Sequence, residues 1–140
     1  MPLNQTAKYV LRAMSILASL PAGDALSAKE LAELTGIPVH YLSKIMRRLV
    51  VENLVSARRG HGGGFALGRP ARKISFADIL AAADLETKAN VCAFGWGQCD
   101  PKHHCPLHKT YSKLQEAVHG WMNETTLAQV DRDPRVGSEP

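Results

Sequence analysis

The sequence lacks several features that define large classes of proteins. None of its apolar runs approaches the roughly 18 residues that a transmembrane helix needs. Its first residues do not resemble a secretory signal peptide, because Lys8 and Arg12 interrupt the apolar stretch and no small-residue cleavage site follows. Three cysteines in 140 residues are too few, and odd in number, for a disulfide scaffold. We therefore expect a cytoplasmic protein without a membrane segment, whose cysteines are metal ligands, redox thiols or core residues.

The charge of the chain is concentrated in its first half. Residues 1–73 hold eleven basic and four acidic residues, whereas residues 74–140 hold six basic and nine acidic ones. The formal net charge is therefore +7 in the first part and −3 in the second, which gives +4 for the whole chain. A basic half is typical of a protein that binds a polyanion, most often a nucleic acid, and a solvated basic surface is the alternative.

The first half has the pattern of a helix-turn-helix. Apolar residues at helical spacing predict a helix over residues 6–20. Ser27 and Glu30 form a capping-box pattern that opens a short helix, and Gly36 is suited to end it in a left-handed turn. Pro38 then suits the first turn of the next helix. The apolar face of this next helix is formed by Leu42, Ile45, Met46 and Leu49.

A hairpin and two further helices are predicted after the helix-turn-helix. Short strands at 54–57 and 65–67 flank a glycine-rich connection over 58–64 that is longer than a simple hairpin needs. Ser75 predicts another helix start, and Pro106 can open a long helix with a heptad-like apolar seam. The fold class is therefore mainly α with a small β-hairpin, a winged helix-turn-helix followed by a long C-terminal helix that either mediates dimerisation or covers the core. We divide the chain into a winged helix-turn-helix DNA-binding domain (1–85, with the first helix also at the dimer interface), a cysteine loop (86–105), a dimerisation helix (106–130) and a frayed tail (131–140). The seam consists of Leu107, Tyr111, Leu114, Val118 and Trp121.

The helix and the hairpin loop carry the side chains that DNA recognition needs. A recognition helix keeps one face on the core and turns hydrogen-bond donors towards the major groove. An arginine- and glycine-rich loop can contact phosphates or enter a minor groove as a wing. An ordinary helical hairpin and a flexible connector are the alternatives. No phosphate-binding loop is present, since the glycine run lies between strands and has no G-x-x-x-x-G-K-[ST] pattern. The candidate contacts are His40, Tyr41, Ser43, Lys44, Arg47 and Arg48 in the helix and Arg58, Arg59, His61 and Gly63 in the loop.

The three cysteines and one histidine form a compact metal-ligand pattern. Cys92, Cys99, Cys105 and His108 follow the spacing C-x6-C-x5-C-x2-H. Cys105 falls where the N-cap of the last helix is expected, and His108 lies on the same side of its first turn. Three thiolates and one imidazole satisfy either tetrahedral zinc or an iron–sulfur cluster. Incidental thiols are the alternative, and an enzyme that uses Cys105 as a nucleophile is disfavoured because no catalytic constellation is visible.

Taken together, these motifs resemble the IscR/NsrR/RirA family of winged-helix transcription regulators. The marks are the segments GIPVHYL at 36–42 and LVSARRGHGGGF at 54–65, and the cysteine loop before a long helix. The resemblance implies a homodimer with crossing long helices that binds a near-palindromic operator on double-stranded DNA, often as a repressor. It also implies that an iron–sulfur cluster modulates binding in response to iron, redox state or nitric oxide. The intervals from Cys99 to Cys105 and from Cys105 to His108 match the IscR branch, whereas Cys92 and Cys99 are separated by six residues instead of five. The resemblance therefore favours a 2Fe–2S cluster with His108 as the fourth ligand, and a 4Fe–4S cluster is possible.

Overall fold

The computed structural model describes residues 3–60, 62–83, 93–94, 96–97, 100, 102–103 and 105–130. Over these residues the fold is mainly helical with one small antiparallel hairpin, which confirms the predicted fold class. Short 3-10 turns follow the hairpin at Ala71–Lys73 and the last helix at Leu127–Val130. In chain order, the main elements are α1 (Gln5–Ala18), α2 (Ala28–Thr35), α3 (Val39–Val51), β1 (Val55–Arg58), β2 (Gly64–Leu67), α4 (Phe76–Ala82) and α5 (His108–Glu124).

Local capping explains where the helices of the first half begin and end. The Ser27 hydroxyl accepts a hydrogen bond from the backbone N–H of Glu30, and α2 ends at Gly36, whose φ of 74° is left-handed as predicted. At α4 the Ser75 side chain and the Asp78 carboxylate cap each other's backbone N–H groups in a complete capping box. Both predicted helix starts are therefore confirmed, and each satisfies backbone donors that the helix itself leaves unpaired.

The boundaries of the two hairpin strands differ by one residue from those predicted from the sequence. β1 pairs with β2 in the register Val55↔Leu67 to Arg58↔Gly64, so Arg58 and Gly64 belong to the strands. Leu54, which the sequence places in the first strand, is instead buried in the core just before it. A backbone bridge between Leu26 and Phe65 attaches the hairpin to the segment that enters α2. The hairpin is therefore fixed to the helix-turn-helix at its base.

Almost all of the described core lies between Ala7 and Ala83, which is called the first half from here on. α1 runs through its centre and contributes seven of the buried apolar residues, including Val10, Ala13 and Met14, which have no exposed surface. α3 adds its predicted apolar face, and all four of those residues are buried. Among the described residues beyond Ala83, only Met122 and Leu127 are buried in this core.

The last helix begins later than predicted. α5 starts at His108 with Leu107 as its N-cap, and not at Pro106 with Cys105 as the cap. Residues 105–108 form a turn in which the N–H of His108 donates to the carbonyl of Cys105 at 3.0 Å. This turn places Cys105 outside the helix, so the expectation that it caps the helix is wrong. No helix within the described ranges is both long and apolar enough to cross a membrane.

Candidate DNA-binding surface and cysteine loop

The face of α3 opposite the core is exposed and cationic. At 3.6 residues per turn, His40, Lys44 and Arg47 point away from Leu42 and Leu49, which are fully buried. Ser43 lies beside them and is also exposed. Within the part of the chain that the structure describes, none of these four side chains makes a hydrogen bond or an ion pair. Their donors are therefore available for bases or phosphates.

Tyr41 and Arg48 lie on a different flank of α3 and contact the protein itself. The Tyr41 hydroxyl is hydrogen-bonded to the hydroxyl of Thr6, and its ring packs edge-on against Tyr9 with centroids 5.9 Å apart. Arg48 Nη1 donates to the carbonyl oxygen of Ala83 at 3.2 Å. Sequence reasoning groups both residues with the groove-facing side chains, whereas the structure places them against α1 and the end of α4.

A second network of α1 residues holds the helix-turn-helix together and escapes the sequence analysis. Arg12 Nη1 donates to the carbonyl of Thr35 at 2.7 Å, at the end of α2. The same guanidinium lies 5.6 Å from the centroid of the Tyr9 ring, within cation–π range. The Arg12–Thr35 contact joins residues that are distant in sequence, so no local pattern could have revealed it, whereas Tyr9 and Arg12 lie one turn apart in α1.

The hairpin presents its arginines next to the helix-turn-helix. Arg58 and Arg59 are exposed; Arg58 Nη1 donates to the carbonyl of Gly23 at 3.0 Å, whereas Arg59 has no partner among the described residues. His61, predicted as a contact, lies outside the described residues. The hairpin thus offers one tethered and one unpaired guanidinium.

Two wing glycines are required by the hairpin itself. A Cβ on Gly63 would lie 2.5 Å from the carbonyl oxygen of Arg58, and a Cβ on Gly64 would overlap the backbone of Leu26. Gly64 also has a φ of +139°, a conformation that side-chain-bearing residues rarely adopt. The sequence analysis names Gly63 as a candidate DNA contact; the structure supplies an internal steric reason for a glycine at this position.

Only part of the predicted metal-ligand set can be described. Cys92 and Cys99 lie outside the described residues, as does His104. Cys105 is a half-buried free thiol, and His108 is half-buried one turn later with Nε2 3.5 Å from the Ser112 hydroxyl. Among the described residues no group of three or more ligand-type side chains is assembled. A thiol and an imidazole that flank one turn and are not sealed in the core are donors suited to either zinc or an iron–sulfur centre.

A neighbouring histidine is differently placed. His103 Nδ1 lies 3.1 Å from the carboxylate of Asp100, and both side chains are largely exposed, at 84% and 54%. The Asp100 carboxylate also accepts the backbone N–H of Lys102 at 2.8 Å. His103 is therefore held by a local turn, while His108 belongs to the helix that follows Cys105.

The predicted seam of α5 is mostly uncovered in the single chain. Leu107, Leu114 and Trp121 are 43–46% exposed, while Tyr111 and Val118 are half-buried. The Trp121 ring meets Phe76 of α4 edge-on at 5.3 Å. Met122 is the one residue of α5 that is fully buried in the core. The seam therefore leaves a row of apolar side chains without cover in the described residues.

A helix pair with an exposed cationic second helix, joined to an arginine-bearing hairpin, defines a winged helix-turn-helix protein of the kind that regulates transcription. Residues 3–133 match the model of the Rrf2 family, described as iron-dependent transcriptional regulators. The chain belongs to the Rrf2 family of DNA-binding transcriptional regulators. Its relatives are transcriptional regulators and not enzymes. This confirms the resemblance to the IscR group of regulators and the prediction that the protein is not an enzyme.

Individual relatives show how far the similarity extends. The HTH-type transcriptional regulator IscR of Escherichia coli O1:K1 is 29% identical over 136 residues, which cover 97% of this chain and 83% of that protein. The structure of CymR, the global cysteine regulator of B. subtilis, matches with a TM-score of 0.78 at 21% identity, covering 94% of this chain and 96% of the other. T. potens IscR matches with a TM-score of 0.73 at 24% identity, covering 99% and 89%. The two structural matches establish the shared fold.

Proposed function

We propose that the protein is a dimeric, sequence-specific transcriptional repressor whose operator binding is modulated by an iron–sulfur cluster. The observation that carries the DNA-binding part is the exposed face of α3, where His40, Ser43, Lys44 and Arg47 have no partners within the described chain. In this proposal the protein works in the cytoplasm, with residues 1–85 as the DNA-binding domain, 86–105 as the cysteine loop, 106–130 as the dimerisation helix and 131–140 as a tail.

The division of labour on DNA follows from the side chains. The α3 face enters the major groove, where His40, Ser43 and Lys44 are placed to read base edges. Arg47 and the wing residue Arg59 bind phosphates, and Arg58, His61 and Gly63 complete the wing contact. A protein that neutralises several phosphates binds DNA with strong salt dependence, so affinity is meaningful only at a stated ionic strength.

The apolar seam of α5 supports a second copy of this chain as partner. Leu107, Leu114 and Trp121 expose a row of large apolar side chains at heptad-like spacing, which a matching helix would cover. An isologous pair of chains also places two α3 helices symmetrically, as a near-palindromic operator requires. Sedimentation equilibrium tests this: we expect a dimer for the natural chain and a monomer for Leu114→Glu.

The cysteine loop supports a bound cluster. Cys92, Cys99, Cys105 and His108 would hold it, and a cluster so held supplies sensitivity to iron supply, redox state or nitric oxide. Cys105 is half-buried and free, and His108 stands at the start of α5, so the described half of the set can reach a centre at this end of the helix. A 2Fe–2S centre is favoured, with 4Fe–4S as the other possibility.

The decisive experiment is purification without oxygen, followed by visible absorption and assays for iron, sulfide and zinc. We expect broad absorption between roughly 320 and 600 nm with matching iron and sulfide. His108→Ala should alter the spectrum, whereas His103→Ala is the matched control and should leave it unchanged. DNA selected from a random pool should bind the loaded and metal-free forms with different affinity; equal affinity, or no cluster, would refute cluster sensing.

A zinc-stabilised or thiol-based regulator is the second candidate. The half-buried, free thiol of Cys105 favours it, because an accessible thiol can bind zinc or be oxidised reversibly. One zinc per chain in colourless protein would support a structural zinc site. Colourless, metal-free protein whose DNA binding changes on oxidation, and no longer does so in Cys105→Ser, would support thiol sensing.

A further inference from the structure

Arg48 joins the recognition helix α3 to the end of α4. Its Nη1 donates a 3.2 Å hydrogen bond to the carbonyl oxygen of Ala83, the residue that caps the C-terminus of α4. Carbonyls at a helix C-terminus lack partners in the helix and carry partial negative charge, so a guanidinium is a favourable donor there. This contact is distinct from the groove-facing set, since Arg47, the next residue, has no partner among the described residues.

The partner of Arg48 stands at the entrance to the cysteine loop. Ala83 is buried and ends the DNA-binding half of the core, and Cys92 follows nine residues later. The N–H of Ala83 donates to the carbonyl of Ile79 at 3.1 Å, so the position of Ala83 is tied to α4 on one side. Residues 84–92, which connect Ala83 to the first predicted ligand, lie outside the described residues.

A surface pocket of 130 Å³ lies beside the joint between α3 and the end of α4, lined by Thr6, Tyr41, Lys44, Ile45, Arg48 and Ala83. The Arg48–Ala83 hydrogen bond therefore lies at the surface, beside open space. At the other end of the flank, Tyr41 is fixed to α1 through the Thr6 hydroxyl and the Tyr9 ring. Along its length α3 is held by its buried apolar face, and Tyr41 and Arg48 add polar contacts to α1 and to the end of α4.

We propose that Arg48 is a positioning residue that couples the cysteine loop to the recognition helix. A shift of the α4 terminus that accompanies a change of ligand state in the loop reaches α3 through the Arg48–Ala83 hydrogen bond. Through this contact the change alters how α3 presents His40, Lys44 and Arg47 to the groove. This inference rests on the proposed function, because it requires that cluster loading changes DNA affinity.

The test compares operator affinity with and without cluster in four proteins: the natural chain, Arg48→Met, Arg48→Lys and Arg47→Met. Methionine keeps the apolar stem and removes every donor, and lysine keeps the charge and one donor group. Coupling of this kind typically changes affinity by about 5- to 150-fold. In Arg48→Met we expect the ratio of the two affinities to fall towards one, with iron and sulfide content unchanged. Arg48→Lys should recover part of the ratio.

Arg47→Met is the matched control, since it removes the same charge from the same helix without touching Ala83. It should weaken binding in both forms by the same factor and leave the ratio intact. Hydrogen exchange gives a readout that needs no DNA. In the natural chain, protection of the α4 and α3 amides should change together on loading, whereas in Arg48→Met the α4 amides should respond without those of α3.

The outcomes separate this inference from the proposed function. A ratio in Arg48→Met equal to that of the natural chain, together with joint exchange changes in α3 and α4, would refute the role of Arg48 and leave cluster sensing intact. A natural chain whose affinity ignores the cluster would refute the proposed function and the inference with it. If Arg48→Met unfolds, Arg48→Lys decides. A crystal structure of that variant shows whether the lysine still reaches the Ala83 carbonyl, and a full ratio without that hydrogen bond would also refute the coupling.

Discussion

The two halves of this protein differ in how many of their apolar side chains are buried. The first half, through Ala83, supplies nearly all of the described core, in which α1 contacts α2, α4, the hairpin and the 3-10 turn at Leu127–Val130. Of the seventeen residues of α5, only Met122 is buried. The first half is also basic, whereas the second is acidic. The first half, with Met122 and Leu127, therefore buries its apolar side chains within the single chain, whereas most of the seam of α5 stays exposed there.

Identical truncations in the two halves should have very different effects. Leu42 is fully buried, so Leu42→Ala should lower the free energy of unfolding by about 2–5 kcal/mol, because apolar burial is reduced and a cavity forms. Leu114 is 46% exposed, so Leu114→Ala should change the stability of the monomer by no more than about 0.5 kcal/mol. Urea unfolding at several protein concentrations separates the cases, because truncation of a seam residue should alter the concentration dependence instead. Equal losses of stability at low concentration would contradict the comparison.

Substitutions at the wing glycines should also lower the stability of the first half. Gly64→Ala should destabilise by about 1–3 kcal/mol for the strained backbone alone, and more because its Cβ would overlap Leu26. Gly62→Ala is the control: its φ is +77°, but a Cβ there meets no atom of the described residues within 4 Å. We therefore expect the smaller loss of stability at Gly62, about 1–2 kcal/mol. Thermal unfolding of the two variants measures the difference, and equal melting temperatures would show that the Leu26 contact is not rigid.

The same contrast explains what the sequence can predict. Helix caps and apolar faces are local, so the starts at Ser27 and Ser75, the end at Gly36 and the buried face of α3 can be derived from neighbouring residues. The sequence places the start of α5 two residues too early, because Pro106 is compatible with a first helical turn and the 105–108 turn that precedes the helix leaves no clear signal.

Long-range contacts are the part that the sequence cannot supply. Tyr41 and Arg48 are predicted as groove contacts from their spacing, and only the positions of Thr6 and Ala83 show that each also contacts the protein itself. The ligand quartet is predicted from spacing and resemblance and stays a prediction, since Cys92 and Cys99 lie outside the described residues.

The start of α4, where the two halves are joined by a backbone hydrogen bond, should make a moderate contribution to the free energy of unfolding. Ser75 caps α4, and its neighbour Phe76 donates its backbone N–H to the carbonyl of Thr125 at 2.9 Å, just beyond α5. Ser75→Ala removes the cap and should cost about 1 kcal/mol of stability. Ser43→Ala, in the exposed part of α3, is the control and should stay within about 0.5 kcal/mol. Chemical denaturation of both variants measures this, and an equally large destabilisation at Ser43 would argue against the capping role.

The smallest expected effect concerns the charge asymmetry. If only the basic half meets DNA, Arg59→Gln removes one phosphate contact and should reduce the slope of log affinity against log salt by about 0.9. Lys109→Gln, in the first turn of α5, removes the same charge from the acidic half and should leave the slope unchanged. Titrations of a selected DNA duplex at several salt concentrations give both slopes. A reduced slope for Lys109→Gln would mean that DNA also contacts the end of α5, and the two halves would then share the nucleic-acid surface.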